Sequence, residues 1–478
     1  MGTWFLAWNQ KVQELVWGTP MLVLFLGTGL WFSVRSRFFQ IRGWKKIRRW
    51  TWAAEKSESS HSGFQSLCKA LAGTLGTGNI AGVATALAAG GPGALFWMWI
   101  SALVGMMTGY AEKYLGAKYA GEDPAPLAYI RAAFRSKAPA YGYAALCAAA
   151  TLGAGNLVQT NSVAEAAEAA MGIPGFVTAV LLAGPVWLVT VGGEKRISGL
   201  MEHLIPALTV LYMAGCLTAL VLWRDRLLPV FGEILRSAFG WRAGIAGTAG
   251  YTMQQSLRMG ASRGVFSNEA GMGSSVLAYD RAGRTKPCEQ GAWGILEVFV
   301  DTILMCTMTG LVLLCSQSYD PAQYAAALAQ GTAETLPNGA ALAGAAFSEV
   351  FGRAGQWFLA AALYLFAFPS IVCWCYYGST CVQWMLGRRA ERIYRNCFVG
   401  MILVGSFLPL SALWNLADSF NGLMAIPNLA ALLLLSGQVR FDGAREEKIY
   451  EQKGVCYNKP VRGSKRDLRF WKNRRRGQ

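Results

Sequence analysis

Residues 72–93 read AGTLGTGNIAGVATALAAGGPG: an apolar stretch crowded by Gly73, Gly76, Gly78 and Gly82 and interrupted by Thr77 and Asn79. It lies in a longer run, near 64–89, that exceeds the roughly 20 apolar residues a bilayer-spanning helix needs. Glycine costs about 1 kcal/mol per residue inside a helix, and lipid offers nothing to an unsatisfied polar group. Several glycines beside Thr77 and Asn79 therefore predict an unwound helix whose freed backbone groups and half-helix dipoles face a ligand. Close helix packing through small residues is the competing explanation for the glycines alone.

The rest of the chain supports a membrane setting. Of 478 residues, 54% are hydrophobic, only 15% are charged, and 18 are Trp; a soluble protein carries about 25% charged residues. Apolar runs lie near 15–34, 64–89, 93–116, 143–169, 174–192, 202–223, 244–264, 291–316, 352–385, 394–411 and 418–438, which makes eleven predicted spans. Alternate connections and the tail hold 35 of the 44 Lys and Arg, the opposite side holds 6, and Lys69, Arg258 and Arg263 fall within spans. By the positive-inside rule the N-terminus is outside and the C-terminus cytoplasmic. The arginine-bearing connection 224–242 is the one dissenting loop. The net charge of +17 thus reads as topology, and the basic tail 461–478 as an anchor on anionic lipid, with no nucleic-acid partner. The loop 317–350, free of Lys and Arg, reads as a lid or outer amphipathic segment.

Enzyme chemistry finds no footing. The chain has two His, no paired CxxC metal spacing and no phosphate-binding loop, and most of its 11 Cys sit in apolar runs as small hydrophobes. No cleavable leader is expected. Polar residues inside spans are the informative ones. In GAGNLVQTNSVAEAAEA (153–169), Asn156 and Gln159 are three apart and predicted to share a helical face, with Asn161 turned away. In 246–275, Gly247 and Gly250 precede Thr252, Met253, Gln254 and Gln255, and the run ends in RGVFSNEAG, a second interrupted helix. Two interrupted helices, one opening spans 2–6 and one opening spans 7–11, have the parity of an inverted repeat. In LFAFPSIVCWCYYGST (365–380), Pro369 is predicted to kink the helix and free a carbonyl, with Ser370 beside it and Trp374 one turn on. A hydroxyl and freed carbonyls opposite the unwound span form an oxygen cage for a small monovalent cation. Glu112, Glu297, Asp301 and Asp418 are expected to pair with Arg258, Arg263 or Lys69, or to cap helices.

These strings resemble the bacterial and archaeal sodium:alanine symporter family, whose members are also called alanine or glycine:cation symporters. The matching segments are GTGNIAGVATALAAGGPGALFWMW (76–99), GNLVQTNSVAEA (155–166), RGVFSNEAGMGS (263–274), QGAWGILEVFVDT (290–302), LFAFPSIVCWCYYG (365–378) and LADSFNGLMAIPNL (416–429). The resemblance implies an all-α polytopic membrane protein with eleven transmembrane helices, a leucine-transporter-type inverted 5+5 repeat preceded by one extra helix. It implies that Thr77, Gly78 and Asn79 meet the amino acid's backbone groups, that Gln159 faces the substrate, and that Trp374 closes one side of the pocket. Sodium would lie near the carbonyls of Ala72 and Leu75 and the Ser370 hydroxyl. Ser267, Asn268 and Glu269, with Asn156 and Asn161, take gating or structural roles. The chain departs from the family pattern at Ser370 (usually Thr), Cys373 (usually Gly), EDPAPLAYI (122–130), AYDRA (278–282) and the Met253-Gln254-Gln255 tract, which puts Met253 and Gln254 beside the proposed pocket.

The expected protein is therefore a multi-pass symporter of the cell membrane that imports a small neutral amino acid, alanine or glycine first, with sodium as co-transported ion and no cofactor. Glutamine, asparagine or serine, and proton coupling, are the alternatives; an ion channel or membrane enzyme is a distant one. Its organisation is an extra helix and basic loop at 1–60, a transporter core at 61–440 with repeats near 64–223 and 244–438, and a basic tail at 441–478. No obligatory protein partner is evident beyond the bilayer itself.

Overall fold

The computed structural model describes Lys11 and residues 16–54, 63–239, 251–280, 286–408 and 410–442. The basic tail beyond 442, the start of the first predicted span, Gly247 and Gly250 lie outside these residues.

Every regular element among the described residues is helical. In chain order they are α1 (Thr19–Arg35), α2 (Trp44–Ala54), α3 (Gly63–Thr74), α4 (Ala81–Gly90), α5 (Gly93–Lys118), α6 (Ala125–Phe134), α7 (Ala138–Leu152), α8 (Val158–Met171), α9 (Gly175–Val191), α10 (Gly193–Leu222) and α11 (Arg224–Ala238). The second half adds α12 (Met253–Asn268), α13 (Pro287–Val298), α14 (Thr307–Cys315), α15 (Pro321–Gln330), α16 (Gly339–Phe351), α17 (Arg353–Gly405) and α18 (Leu410–Leu434). Gly93–Lys118, Gly193–Leu222, Pro287–Cys315, Arg353–Gly405 and Leu413–Leu434 are long and apolar enough to cross a membrane, and the pair around the break at Leu75–Gly76 makes a sixth if taken as one span. α1, α9 and α16 are shorter apolar helices. The protein is membrane-embedded.

Several expectations change in detail. Pro369 sits inside α17 without breaking it; the non-helical residue is Gly387, at φ 84° and ψ 177°, which separates the two runs the sequence shows there. A positive φ of that size is open to glycine and strained for other residues. The arginine-rich connection is the helix α11, with Arg226 donating to the Cys315 carbonyl at 2.7 Å. The segment 317–350 folds as α15 and α16, and Tyr319 donates to the Leu87 carbonyl at 2.8 Å, pinning the end of α4. Of the described cysteines, Cys397 is exposed and the others are buried and unbridged.

The centre is α5, buried along one side from Gly93 to Gly116, with α12, α13 and α1 packed on it. Across the molecule α17 packs on α7, α8, α9 and α3. The broken span, α3 to α4, lies between these two groups.

Candidate functional site

α3 ends at Thr74, a single 3-10 turn spans Thr77–Asn79, and α4 leaves at 63° to α3. The hydrogen bonds explain the break. The Gly76 N–H, which would close the next turn onto Ala72, goes to Asn79 Oδ1 at 3.1 Å. The Thr77 N–H, which would reach Gly73, goes to Gln159 Oε1 on α8 at 2.8 Å. The Gly73 carbonyl accepts instead from Ser370 Oγ at 3.0 Å and Trp374 Nε1 at 3.1 Å, both on α17. Two consecutive helical hydrogen bonds are thus exchanged for side-chain contacts, from Asn79 within the break and from α8 and α17. Gly76 allows this approach: a Cβ there would stand 2.8 Å from the Gln159 amide and 3.0 Å from Ser370 Oγ.

What remains unspent lies at the same place. The Thr77 hydroxyl is buried with no partner, and the Ala72 carbonyl has lost its helical donor. Buried oxygens without donors are costly unless a ligand completes them. Ala72, Leu75, Thr77 and Ser370 are all fully buried, and Asn79 nearly so.

The other side of the break is polar as well. Asn79 Nδ2 donates to Asp301 Oδ1 at 2.7 Å and to Ser267 Oγ at 2.9 Å. Thr302 Oγ1 donates to Asp301 Oδ2 at 2.8 Å and accepts from Asn268 Nδ2 at 3.0 Å. Asp301 stands in a π-helical stretch, Phe299–Cys306, between α13 and α14, a distortion frequent at functional positions. Asp301 is the residue whose position the sequence reading missed: it was grouped with span-end carboxylates awaiting Arg or Lys, yet it partners Asn79. Its depth within the run 291–316 was the available signal.

Thr77, Asn79, Gln159, Ser267, Asn268, Ser370 and Trp374 are thus linked through one hydrogen-bonded neighbourhood, with Gly78 inside the 3-10 turn. Asn156 and Gln159 do not share partners. A π turn over Gly153–Leu157 widens the helix before α8 and shifts the phase that a three-residue spacing assumes, so Asn156 donates to the Phe398 carbonyl at 2.5 Å. The same turn places Gly155 where a Cβ would run into the Trp374 side chain. Asn161 donates to the Leu408 carbonyl at 2.9 Å, tying α8 to the segment after α17. Met253 and Gln254 are exposed at the start of α12, and Gln255 is spent on a cap with Thr252. Neither meets the break at Thr77.

The second interruption, after α12, is built differently. Glu269 takes a left-handed conformation at φ 55°, followed by Gly271 at 99° and Gly273 at 74°. Glu112 Oε1 on α5 accepts from the Gly271 and Gly273 N–H groups at 3.0 Å each and from Asn428 Nδ2 at 2.7 Å. Ser274 donates to Glu269 Oε2. Lys113 bonds Ser275 Oγ at 2.7 Å and pairs with Glu297 at 3.2 Å. Arg263 grips Asp418 through two bonds of 2.9 Å, as the sequence pairing anticipated. Lys69 on α3 pairs with Glu194 at 3.0 Å.

A polar cavity of about 430 Å³ opens beside this frame, between Glu194, Asp280, Tyr376, Glu391 and Arg395. It reaches α17 at Cys375, the residue after Trp374.

Apolar helices of spanning length around a buried, polar helix break define a membrane-embedded helical protein with a site at its centre. The sodium:alanine symporter family model matches residues 3–454, and the chain belongs to that family. It is 38% identical to the sodium/alanine symporter AgcS of Methanococcus maripaludis, over 91% of this chain and 96% of that protein. It is 34% identical to the probable sodium/glutamine symporter GlnT of Bacillus subtilis, over 89% of this chain and 87% of that one. Among solved structures, a Na+-coupled sialic acid symporter in a substrate-bound outward-open state is similar at a TM-score of 0.46 and 14% identity, covering 87% of this chain and 82% of that one.

Proposed function

We propose that the protein is a sodium-coupled symporter that imports a small neutral amino acid, alanine or glycine first, by alternating access. The observation that carries this is the state of the break itself: Thr77 N–H and the Gly73 carbonyl are held by Gln159, Ser370 and Trp374, while the Thr77 hydroxyl is left without a partner and the Ala72 carbonyl has lost its helical donor. In this reading sodium takes the carbonyls of Ala72 and Leu75 and the Ser370 hydroxyl. The amino acid's charged ends meet Thr77, Gly78 and Asn79, Gln159 faces it from α8, and Trp374 walls one side. The work is binding and release, with no covalent step. Sodium raises substrate affinity, and substrate raises sodium affinity by the same factor.

The two interrupted spans support an inverted repeat, repeat one near 64–223 and repeat two near 244–438, following an extra helix at 1–60. Eleven spans, an outside N-terminus and a cytoplasmic C-terminus follow from the alternation of basic connections. The cavity is bounded by Glu122, Gly193, Asp280 and Glu391, all on connections assigned to the cytoplasmic side, so in this reading it lies on the cytoplasmic side of the buried site.

The test is uptake of radiolabelled alanine into proteoliposomes. Accumulation under an inward sodium gradient, absent with choline or a pH gradient, is expected. Uptake with the pH gradient alone would overturn sodium coupling, and competition by glutamine but not alanine would overturn the substrate.

A further inference from the structure

The helix α2 carries Lys45, Lys46, Arg48 and Arg49 and no carboxylate. None of the four forms an ion pair among the described residues. Its apolar side packs on α13, with Ile47 fully buried, but the seam is not filled along its whole length. A cleft of about 690 Å³ lies between α2, the start of α3 and α13, with Lys45 and Arg48, one turn apart, at its rim. Its walls are Ile47, Phe64, Trp293 and Leu296. The Trp293 indole N–H is buried there with no acceptor, although a buried Trp N–H ordinarily finds one.

Three features coincide: paired cations at the mouth, an unfilled donor in the wall, and an apolar interior. A free anion would leave the interior empty, and an uncharged chain would leave the cations and the donor unanswered. We propose that this cleft is a binding site for one anionic phospholipid. Its phosphate lies between Lys45 and Arg48, an ester or phosphate oxygen accepts from Trp293 Nε1, and an acyl chain covers the part-exposed Phe64 and Leu296. Basic pockets between membrane helices are suited to such headgroups, each cation being worth about 1 kcal/mol near an anionic surface. Phe64 belongs to α3, the half-helix that runs to the break, so lipid in this cleft touches the element whose position the transport site depends on.

The test is native mass spectrometry of the full chain, purified in detergent and equilibrated with an equal mixture of phosphatidylglycerol and phosphatidylcholine. One phosphatidylglycerol should be retained in preference to phosphatidylcholine. The double variant K45Q/R48Q should weaken that retention by roughly five-fold for each cation removed. K46Q/R49Q, with the same change of charge outside the cleft, should keep it. Leu296→Trp, which fills the interior and spares every cation, should expel the lipid and serves if K45Q/R48Q cannot be purified. Equal retention of the two lipids, equal losses in the two double variants, or displacement by inorganic phosphate at the lipid's concentration would each overturn the proposal.

Discussion

The two interrupted helices solve the same problem in opposite ways. At the first, between α3 and α4, the lost backbone bonds are replaced by the neutral side chains of Asn79 and of residues on α8 and α17, and the Thr77 hydroxyl is left over. At the second, after α12, a buried carboxylate gathers two backbone N–H groups and an amide, and positive-φ glycines fix the turn. Neutral contacts of this kind net about 1 kcal/mol each and exchange readily, whereas bonds to a buried charge are stronger and expensive to break. The first break is suited to changing partners, and the second to holding still.

That contrast is open to attack by substitution. The largest effect is expected at the second break: Glu112→Ala leaves two N–H groups unpaired, reduces Asn428 Nδ2 to its bond with the Gly271 carbonyl and leaves Lys113 with less compensation, a loss of about 3–5 kcal/mol. Monodisperse protein surviving heating as the wild type does would refute the idea of a rigid clamp. At the first break, Gln159→Ala leaves the Thr77 N–H unpaired and should cut the efficiency of sodium-driven uptake roughly ten- to hundred-fold, with a stability loss of about 1–3 kcal/mol, smaller than at Glu112. An equal loss of stability at both breaks would erase the distinction. Ser370→Ala removes one hydroxyl from the proposed sodium site and should raise the sodium concentration for half-maximal uptake about ten-fold; an unchanged sodium dependence, with the amino acid's KM altered, would move Ser370 from the ion to the substrate. Least affected should be the double variant M253A/Q254A, within about two-fold of wild type, as for exposed positions generally. A changed competitor profile in that variant would restore the tract at 253–255 to the pocket.

Much of this was legible before any coordinates. The Gly-rich run with Thr77 and Asn79 announced the break because helix propensity and burial of polar groups are local costs, counted residue by residue. The strings around Gln159, Ser370 and Trp374 carried the family resemblance and hence the site. Other features were hidden. A π turn covers Gly153–Leu157, where Asn156 donates to the Phe398 carbonyl while Gln159 holds Thr77, and another covers Phe299–Cys306, where Asp301 partners Asn79. The helix continues through Pro369, and its non-helical residue is Gly387, which no proline marks in the sequence. Met253 and Gln254 are expected beside the pocket, yet they lie at the exposed start of α12, where the neighbouring Gln255 serves a cap.

The sequence by itself determined what depends on composition and on neighbours along the chain: a helical, membrane-embedded protein, a helix that cannot stay wound at residues 75–80, and membership of a symporter family. Only the tertiary structure decided which distant groups take up the bonds that the unwound backbone releases. Thr77 finds Gln159 across 82 positions, Gly73 finds Ser370 across 297, and Asn79 finds Asp301 across 222. The physical reason is that an unsatisfied N–H or carbonyl shows in the sequence as a need. Its partner is set by helix packing and by the local phase of each helix, and a single π turn is enough to rotate that phase.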